Sequence, residues 1–222
     1  MQKLTANTRQ LYPFLIPYLI LLILVLVFKI LYSKEDIYFF INGLHFPAGD
    51  VFFPYMTEAG SSVSAVVACL LLLFVSYRSS VLMASSLILT TLINVPLKNL
   101  FFAPRPRLYF AQHTRPIYYV PDVEVLANNF SFPSGHTVCA FTMAVVLTYI
   151  TPRKAFGYLY LVLALLVAYS RMYMSQHFLE DVTAGSALAT IVTVVWLSWF
   201  DNRPFFSDPR WNGSLSRKRN AA

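Results

Sequence analysis

Three cations, two imidazoles, one carboxylate and a Ser-Gly turn stand in three short stretches of this chain, each at or beside the end of an apolar run. The stretches are Lys98 to Arg105-Pro106, then Pro133-Ser134-Gly135-His136, then Ser170-Arg171 with His177 and Asp181. That inventory suits binding a phosphate and cleaving it through a histidine. His177 and Asp181 are four residues apart, which makes them neighbours on one face of a helix. A carboxylate beside an imidazole fixes its tautomer and stabilises its cationic form, and the other ring nitrogen is then free to attack an electrophile. Arg171 offers a forked set of donors to phosphate oxygens. Gly135 permits close backbone approach, and Ser134 can donate its hydroxyl or cap the helix that begins near His136. Backbone amides at a helix start bind anions, and His136 in that first turn is placed to protonate a leaving oxygen. Lys98 and Arg105 are costly at a membrane boundary unless they meet a charged partner, and an anionic substrate is one.

Taken singly, each residue has an ordinary explanation. Lys98 can snorkel from a helix end, His136 can cap a helix, His177 can be a surface residue, and Asp181 can favour a helix start through its dipole. Ser170 stays open between a role in the site and local packing. The joint spacing is what favours chemistry.

The elements that must position these residues are membrane helices. Of 222 residues, 57% are hydrophobic and 12% charged, against about 25% charged in soluble domains. Apolar runs near the ~20 residues that cross a bilayer recur along the chain. The expected helices are Tyr12–Leu31, Ser62–Tyr77, Val81–Leu97, Thr137–Thr151, Ala155–Met172 and Val182–Phe200. The reading is therefore an all-α integral membrane protein, with one six-helix domain over residues 1–202 and a mobile basic tail over 203–222. The first run is too long and aromatic for a signal-peptide core, and reads as a retained helix. The segment Asp36–Ser61, rich in Gly, Pro and aromatic residues, reads as a chain lying at the headgroup level. The stretch Phe101–Phe132 reads as an ordered loop over the site.

The net charge of +7 does not point to nucleic acid, because the cations flank apolar runs or sit in the tail. Ten Lys and Arg residues, among them Lys3, Arg9, Arg78, Arg153, Lys154 and the five of the tail, fall on one side, and seven, including the three motif cations, on the other. By the positive-inside rule both termini are cytoplasmic and all three motifs face outward, to the periplasm or exterior if the source is bacterial. Cys69 and Cys139 lie inside apolar runs as small hydrophobes, with no spacing for a disulfide framework or a metal. His45 and His113 match no motif.

The three stretches resemble the type-2 phosphatidic acid phosphatase superfamily, which also includes vanadium haloperoxidases and bacterial acid phosphatases. Its motifs read K-x6-R-P, P-S-G-H and S-R-x5-H-x3-D, and all eleven motif residues match here in order and spacing. The resemblance implies that His177 is a nucleophile forming a phosphohistidine, that Asp181 orients it, and that His136 is the acid and base. It implies that Lys98, Arg105 and Arg171, with Ser134 and the Gly135 amide, bind the phosphoryl oxygens. It implies no metal or other cofactor. The expected partner is a phosphorylated membrane lipid, with undecaprenyl diphosphate, phosphatidylglycerol phosphate, phosphatidic acid and lipid A as candidates. Compact size resembles bacterial members, which points to the inner membrane. A lipid-to-lipid phosphotransferase with the same histidine is the alternative, and a non-catalytic lipid-binding protein a lesser one. Neither the lipid nor the oligomeric state is readable from these residues.

Overall fold

The computed structural model describes residues 9–216. These residues form α-helices and short 3-10 turns, and no strand occurs among them. Helix α1 (Tyr12–Leu31) is apolar all round and buries only Phe14 and Tyr18. Helix α2 (Lys34–Asn42) starts in a capping box, with the Ser33 hydroxyl accepting from the Asp36 amide while the Asp36 carboxylate accepts from the Ser33 amide. Helices α3 (Pro47–Glu58) and α4 (Ser62–Leu72) form one path bent by 55°. Helix α5 (Tyr77–Phe101) is capped by Ser76 and stopped by Phe102 in the left-handed region at φ 42°. The one-turn helix α6 (Pro106–Tyr109) precedes a long irregular stretch, followed by α7 (Gly135–Ile150), α8 (Phe156–Tyr173) and α9 (Leu179–Phe200).

Helix α7 is the axis of the bundle. It packs against α5, α8 and α9, and residues on several of its faces, such as Val138, Phe141, Val145 and Val146, are buried. Large apolar side chains face outward on the surrounding helices, including Ile23 on α1, Leu70 on α4, Leu92 on α5, Val162 on α8 and Val195 on α9. Water would penalise such a girdle. A bilayer does not, and helices satisfy their own backbone within it. The chain is thus a multi-pass integral membrane protein.

All six expected apolar segments contain a helix, the second ending early at Leu72, but the count of full spans differs. Four stretches are long and apolar enough to cross a bilayer: Arg9–Leu31, Tyr77–Tyr109, Phe156–Tyr173 and Leu179–Phe200. The bent α3–α4 pair makes a fifth if it is one broken span. Helix α7 has 16 residues and falls short of a span. Protein surrounds it, so its length is not set by the lipid.

Two further segments are more regular than their composition suggests. The segment Asp36–Ser61 is largely helical, as most of α2 and all of α3. Its polar residues are paired within the protein, with Asp50 accepting from the hydroxyls of Tyr118 at 2.6 Å and Tyr173 at 2.7 Å. The tail is not loose over residues 203–216. Two 3-10 turns, Pro204–Ser207 and Pro209–Asn212, bury Phe206 against Phe200 and Trp211, and the Gly213 carbonyl accepts from the Tyr77 amide. Lys3, Arg217, Lys218 and Arg219, used in the charge count, lie outside the described residues. The Phe101–Phe132 stretch is ordered as expected. Asn42 holds both the amide and the carbonyl of Tyr118, and the Glu124 carbonyl accepts from Gln176.

The three motifs lie together at one end of the bundle, at the close of α5 and α8 and the start of α7 and α9. The opposite end is closed by Asp201 at the end of α9. Its carboxylate accepts from Arg78 Nε at 2.6 Å, Arg78 Nη2 at 2.7 Å and the Tyr149 hydroxyl at 2.6 Å. Asp201→Ala should therefore cost about 1–3 kcal/mol, the lower part of the range reflecting the partly solvated arginine. Thermal unfolding in detergent measures it, and Tyr149→Phe should lose less. An unchanged midpoint in Asp201→Ala would refute the clamp.

Candidate active site

Lys98 lies in the last turn of α5, and its Nζ donates to the Phe130 carbonyl at 2.8 Å. The left-handed Phe102 turns the chain, so that Arg105 returns as the residue before Pro106, the first residue of α6. The Arg105 side chain is buried. Nε donates to Asn128 Oδ1 at 3.0 Å, Nη1 donates to the Gln176 carbonyl at 2.9 Å, and Nη1 stands 3.4 Å from His177 Nε2. The first motif thus touches the third.

His177 occupies the short connection between α8 and α9. Ser175, at φ 54°, reverses the chain there, and the amides of Gln176 and His177 both donate to the Arg171 carbonyl. The expected i, i+4 pair exists, although His177 precedes the helix. Its Nδ1 lies 3.4 Å from Asp181 Oδ2 and 3.3 Å from Ser131 Oγ. Asp181 Oδ2 accepts from Ser131 Oγ at 2.5 Å and from the Phe178 amide at 2.8 Å. Burial, reinforced by the positive charges of Arg105, Arg171 and Lys98 and by His136, holds the His177 pKa well below its ordinary value of 6.5. The ring is neutral near pH 7. With a donor at Nε2, its proton sits on Nδ1, towards the carboxylate, and the Nε2 lone pair is the reactive one.

The second motif brings the start of α7 to the same place, after a cis Phe132–Pro133 bond. The Ser134 amide donates to the Asp181 carbonyl at 3.0 Å, and Ser134 Oγ accepts from Thr137 at 3.0 Å, so the serine hydroxyl does not cap the helix. Gly185 of α9 lies so close to Ser134 that a Cβ would stand 2.9 Å from its carbonyl oxygen. Small size at Gly185 is what lets α9 reach the site. At Gly135 a Cβ would stand 3.7 Å from Asn94 and 3.9 Å from Lys98, ordinary van der Waals distances, so the turn faces the lysine across about the width of a methyl group. His136 is in the first turn of α7. It shares the rim of an apolar cavity of about 670 Å³, whose walls include Asn94, Cys69, Leu70 and Cys139. Both cysteines are free, and they act as small wall residues.

Arg171 is buried at the end of α8 and donates from Nη1 to Thr57. Ser170 is buried and donates to the Val167 carbonyl of its own helix at 2.7 Å. Lys98, Arg105, Arg171, His136, His177 and Asp181 are thus brought together around Ser134 and Gly135. The cations outnumber the carboxylate, so the site suits an oxyanion. Among the described residues no cluster of three or more His, Cys, Asp or Glu could hold a metal ion.

Sequence reading missed Ser131, Asn128, Gln176 and Thr57. Ser131 sits three residues before the Pro-Ser-Gly-His turn and carries no spacing signal of its own. It is fully buried, and it bonds both the carboxylate and the imidazole.

A family model described as the PAP2 superfamily matches residues 79–205. The lipid A 4'-phosphatase of Porphyromonas gingivalis is 28% identical over 167 residues, covering 73% of this chain and 71% of the relative. The crystal structure of Aquifex aeolicus LpxE superposes with a TM-score of 0.63 at 29% identity, covering 74% of this chain and 94% of that one. That of a transmembrane PAP2-type phosphatidylglycerolphosphate phosphatase from Bacillus subtilis gives 0.62 at 24% identity, covering 87% and 99%.

Two outcomes follow from the geometry. Ser131→Ala should lower turnover about 10- to 100-fold, the usual effect of deleting a hydrogen bond to a charged group. Wild-type turnover would show that the serine is idle. Protonation of His177 should also weaken the fold. The unfolded ring takes up a proton near pH 6.5 and the folded ring does not, so stability held above that pH is lost as pH falls below it. Between about pH 7.5 and 5.5 the thermal midpoint of His177→Asn should fall less steeply than that of the wild type.

Proposed function

This chain belongs to the PAP2 superfamily and is a membrane lipid phosphatase of that type, and from that premise we propose that it hydrolyses a lipid phosphate at the outer membrane face through a phosphohistidine on His177. The observation that carries the mechanism is the geometry of the buried His177, with Asp181 on the side of its Nδ1 and Arg105 at its Nε2.

In the first step His177 Nε2 attacks phosphorus, and the bond from phosphorus to the lipid oxygen breaks. The ring becomes cationic with its proton still on Nδ1, where Asp181 stabilises it. His136, which burial and the three cations keep neutral without substrate, takes up a proton as the phosphate binds and offsets those cations, and gives it to the departing oxygen. In the second step His136 takes a proton from water, the hydroxide attacks phosphorus, and the phosphorus–nitrogen bond breaks. Inorganic phosphate leaves and both histidines return to their starting states. Lys98, Arg105 and Arg171, with Ser134 and the Gly135 amide, hold the equatorial oxygens and meet the charge that develops on them. No step calls for a metal.

The cavity beside His136 supports a lipid as the substrate. It is apolar and reaches His136, the residue proposed to protonate the leaving oxygen, so a tail placed there would present the phosphate to the cations. Lipid A is the first candidate because the Porphyromonas gingivalis relative bears that activity in its name. Phosphatidylglycerol phosphate, phosphatidic acid and undecaprenyl diphosphate share the phosphate chemistry. The outward orientation draws its support from charge. Arg78, Arg153, Lys154, Arg203 and Arg210 belong to the end opposite the site, and the positive-inside rule puts that end in the cytoplasm.

The test is phosphate release from these four lipids in nanodiscs with a chelator present, and with His177→Ala as the blank. At least one lipid should release phosphate, His177→Ala should be down by about a thousandfold or more, and acid quenching should trap labelled phosphate on the wild type alone. Release from none of the lipids, or full activity in His177→Ala, would contradict the proposal. Transfer to an added acceptor lipid in preference to water would make the enzyme a phosphotransferase.

A further inference from the structure

Thr57 lies outside the matched residues 79–205, in the last turn of α3 before the bend into α4. Its Oγ1 accepts from Arg171 Nη1 at 2.9 Å, and Thr57 and Arg171 are 5% and 7% exposed. A guanidinium presents two forked edges, one through Nη1 with Nη2 and one through Nε with Nη2. Thr57 occupies the first. On the second, Nε is buried with no hydrogen-bond partner. A buried donor left unpaired costs about 1–3 kcal/mol or more on a charged group, so a ligand oxygen is expected there. Arg78 of the same chain shows what the edge takes, holding the two oxygens of Asp201 through Nε and Nη2 at 2.6 and 2.7 Å. A phosphate offers the same pair of oxygens.

The elbow is seated firmly enough to aim a side chain. At Gly60 a Cβ would stand 2.7 Å from the His136 carbonyl oxygen and 2.6 Å from Val167 Cγ1. The bend therefore rests directly on the first turn of α7 and on α8. Glu58, beside Thr57, adds an attractive charge at Arg171 from the same turn. Arginine has many rotamers, and a fixed contact on one edge lowers the entropy lost when the other edge binds. A donor already in place also needs no reorganisation as charge develops on phosphorus.

We propose that the α3–α4 elbow is part of the phosphate site and that Thr57 is a positioning residue, which directs the Nε/Nη2 edge of Arg171 at the phosphoryl group. This rests on the phosphatase reading above and adds to it a residue that none of the three motifs contains.

Thr57→Val keeps the shape and removes the acceptor, while Thr57→Ser keeps the acceptor and removes a methyl. The valine variant should lose about tenfold in kcat/KM, with the loss mainly in kcat, and the serine variant should stay within about threefold of wild type. Inorganic phosphate or orthovanadate, followed as a ligand-induced rise in thermal midpoint, should bind about tenfold more weakly to Thr57→Val. That readout needs no turnover. If wild type binds phosphate, Thr57→Val binds it more weakly and no lipid is hydrolysed, the phosphatase reading fails and the positioning role stands. If lipid is hydrolysed and Thr57→Val equals wild type in both measurements, the positioning role fails alone. Serine as impaired as valine would also overturn it, because the contribution would then be packing. Should Thr57→Val fold poorly, Thr57→Ala makes the same comparison with serine.

Discussion

Asp181 holds this structure's functional end together. Its side chain accepts from the Phe178 amide and the Ser131 hydroxyl, and it lies beside the His177 ring. Its backbone carbonyl accepts from the Ser134 amide. One residue thus joins the start of α9 to the histidine connection, to the end of the long loop and to the start of α7. Its charge is also what makes three cations tolerable at the end of a membrane bundle. A lysine and two arginines at that depth are costly alone, and one carboxylate offsets them only in part. The remainder of that positive charge is what an anionic substrate would meet.

The fold follows from bringing helix ends rather than helix faces to this point. Helices α5 and α8 end here while α7 and α9 begin, so each cationic or imidazole group sits at a terminus where the backbone still has free donors or acceptors. Close approach is permitted at two glycines. Gly185 lets α9 lie against Ser134, and Gly60 lets the elbow lie against His136. A bulkier residue at either would push apart elements that must meet within hydrogen-bond distance.

This explains what could be read from the sequence. The motif residues were legible because their spacings reflect helix ends: seven positions from Lys98 across a stop and return to Arg105, and four from His177 to Asp181. The apolar helices were legible from run length. Ser131 and Thr57 were not, since each acts through contacts made across a large sequence separation and leaves no periodic trace. Helix α3 was hidden because Asp50, Glu58, Pro54 and Gly49 look like loop composition. Asp50 is in fact hydrogen-bonded by two tyrosine hydroxyls that only the fold brings near. The tail looked loose because its charges dominate its composition, whereas Phe206 and Trp211 decide its packing.

Two arginines of this chain show how a structural role and a ligand-binding role differ when the chemistry is the same. At one end Arg78 commits its Nε and Nη2 to Asp201, and Tyr149 shares the same carboxylate, so the charge is satisfied by the protein. At the other end Arg171 commits Nη1 to a neutral threonine, and its buried Nε has no partner. A protein selected only for stability would fill that edge, as it has filled the edge of Arg78. Leaving it open costs folding free energy that an oxyanion can return on binding, and the return is largest for an oxyanion whose charge grows during reaction. The unpaired Nε of Arg171 is therefore an observation separate from the motif spacings, and the proposed phosphate site would account for it.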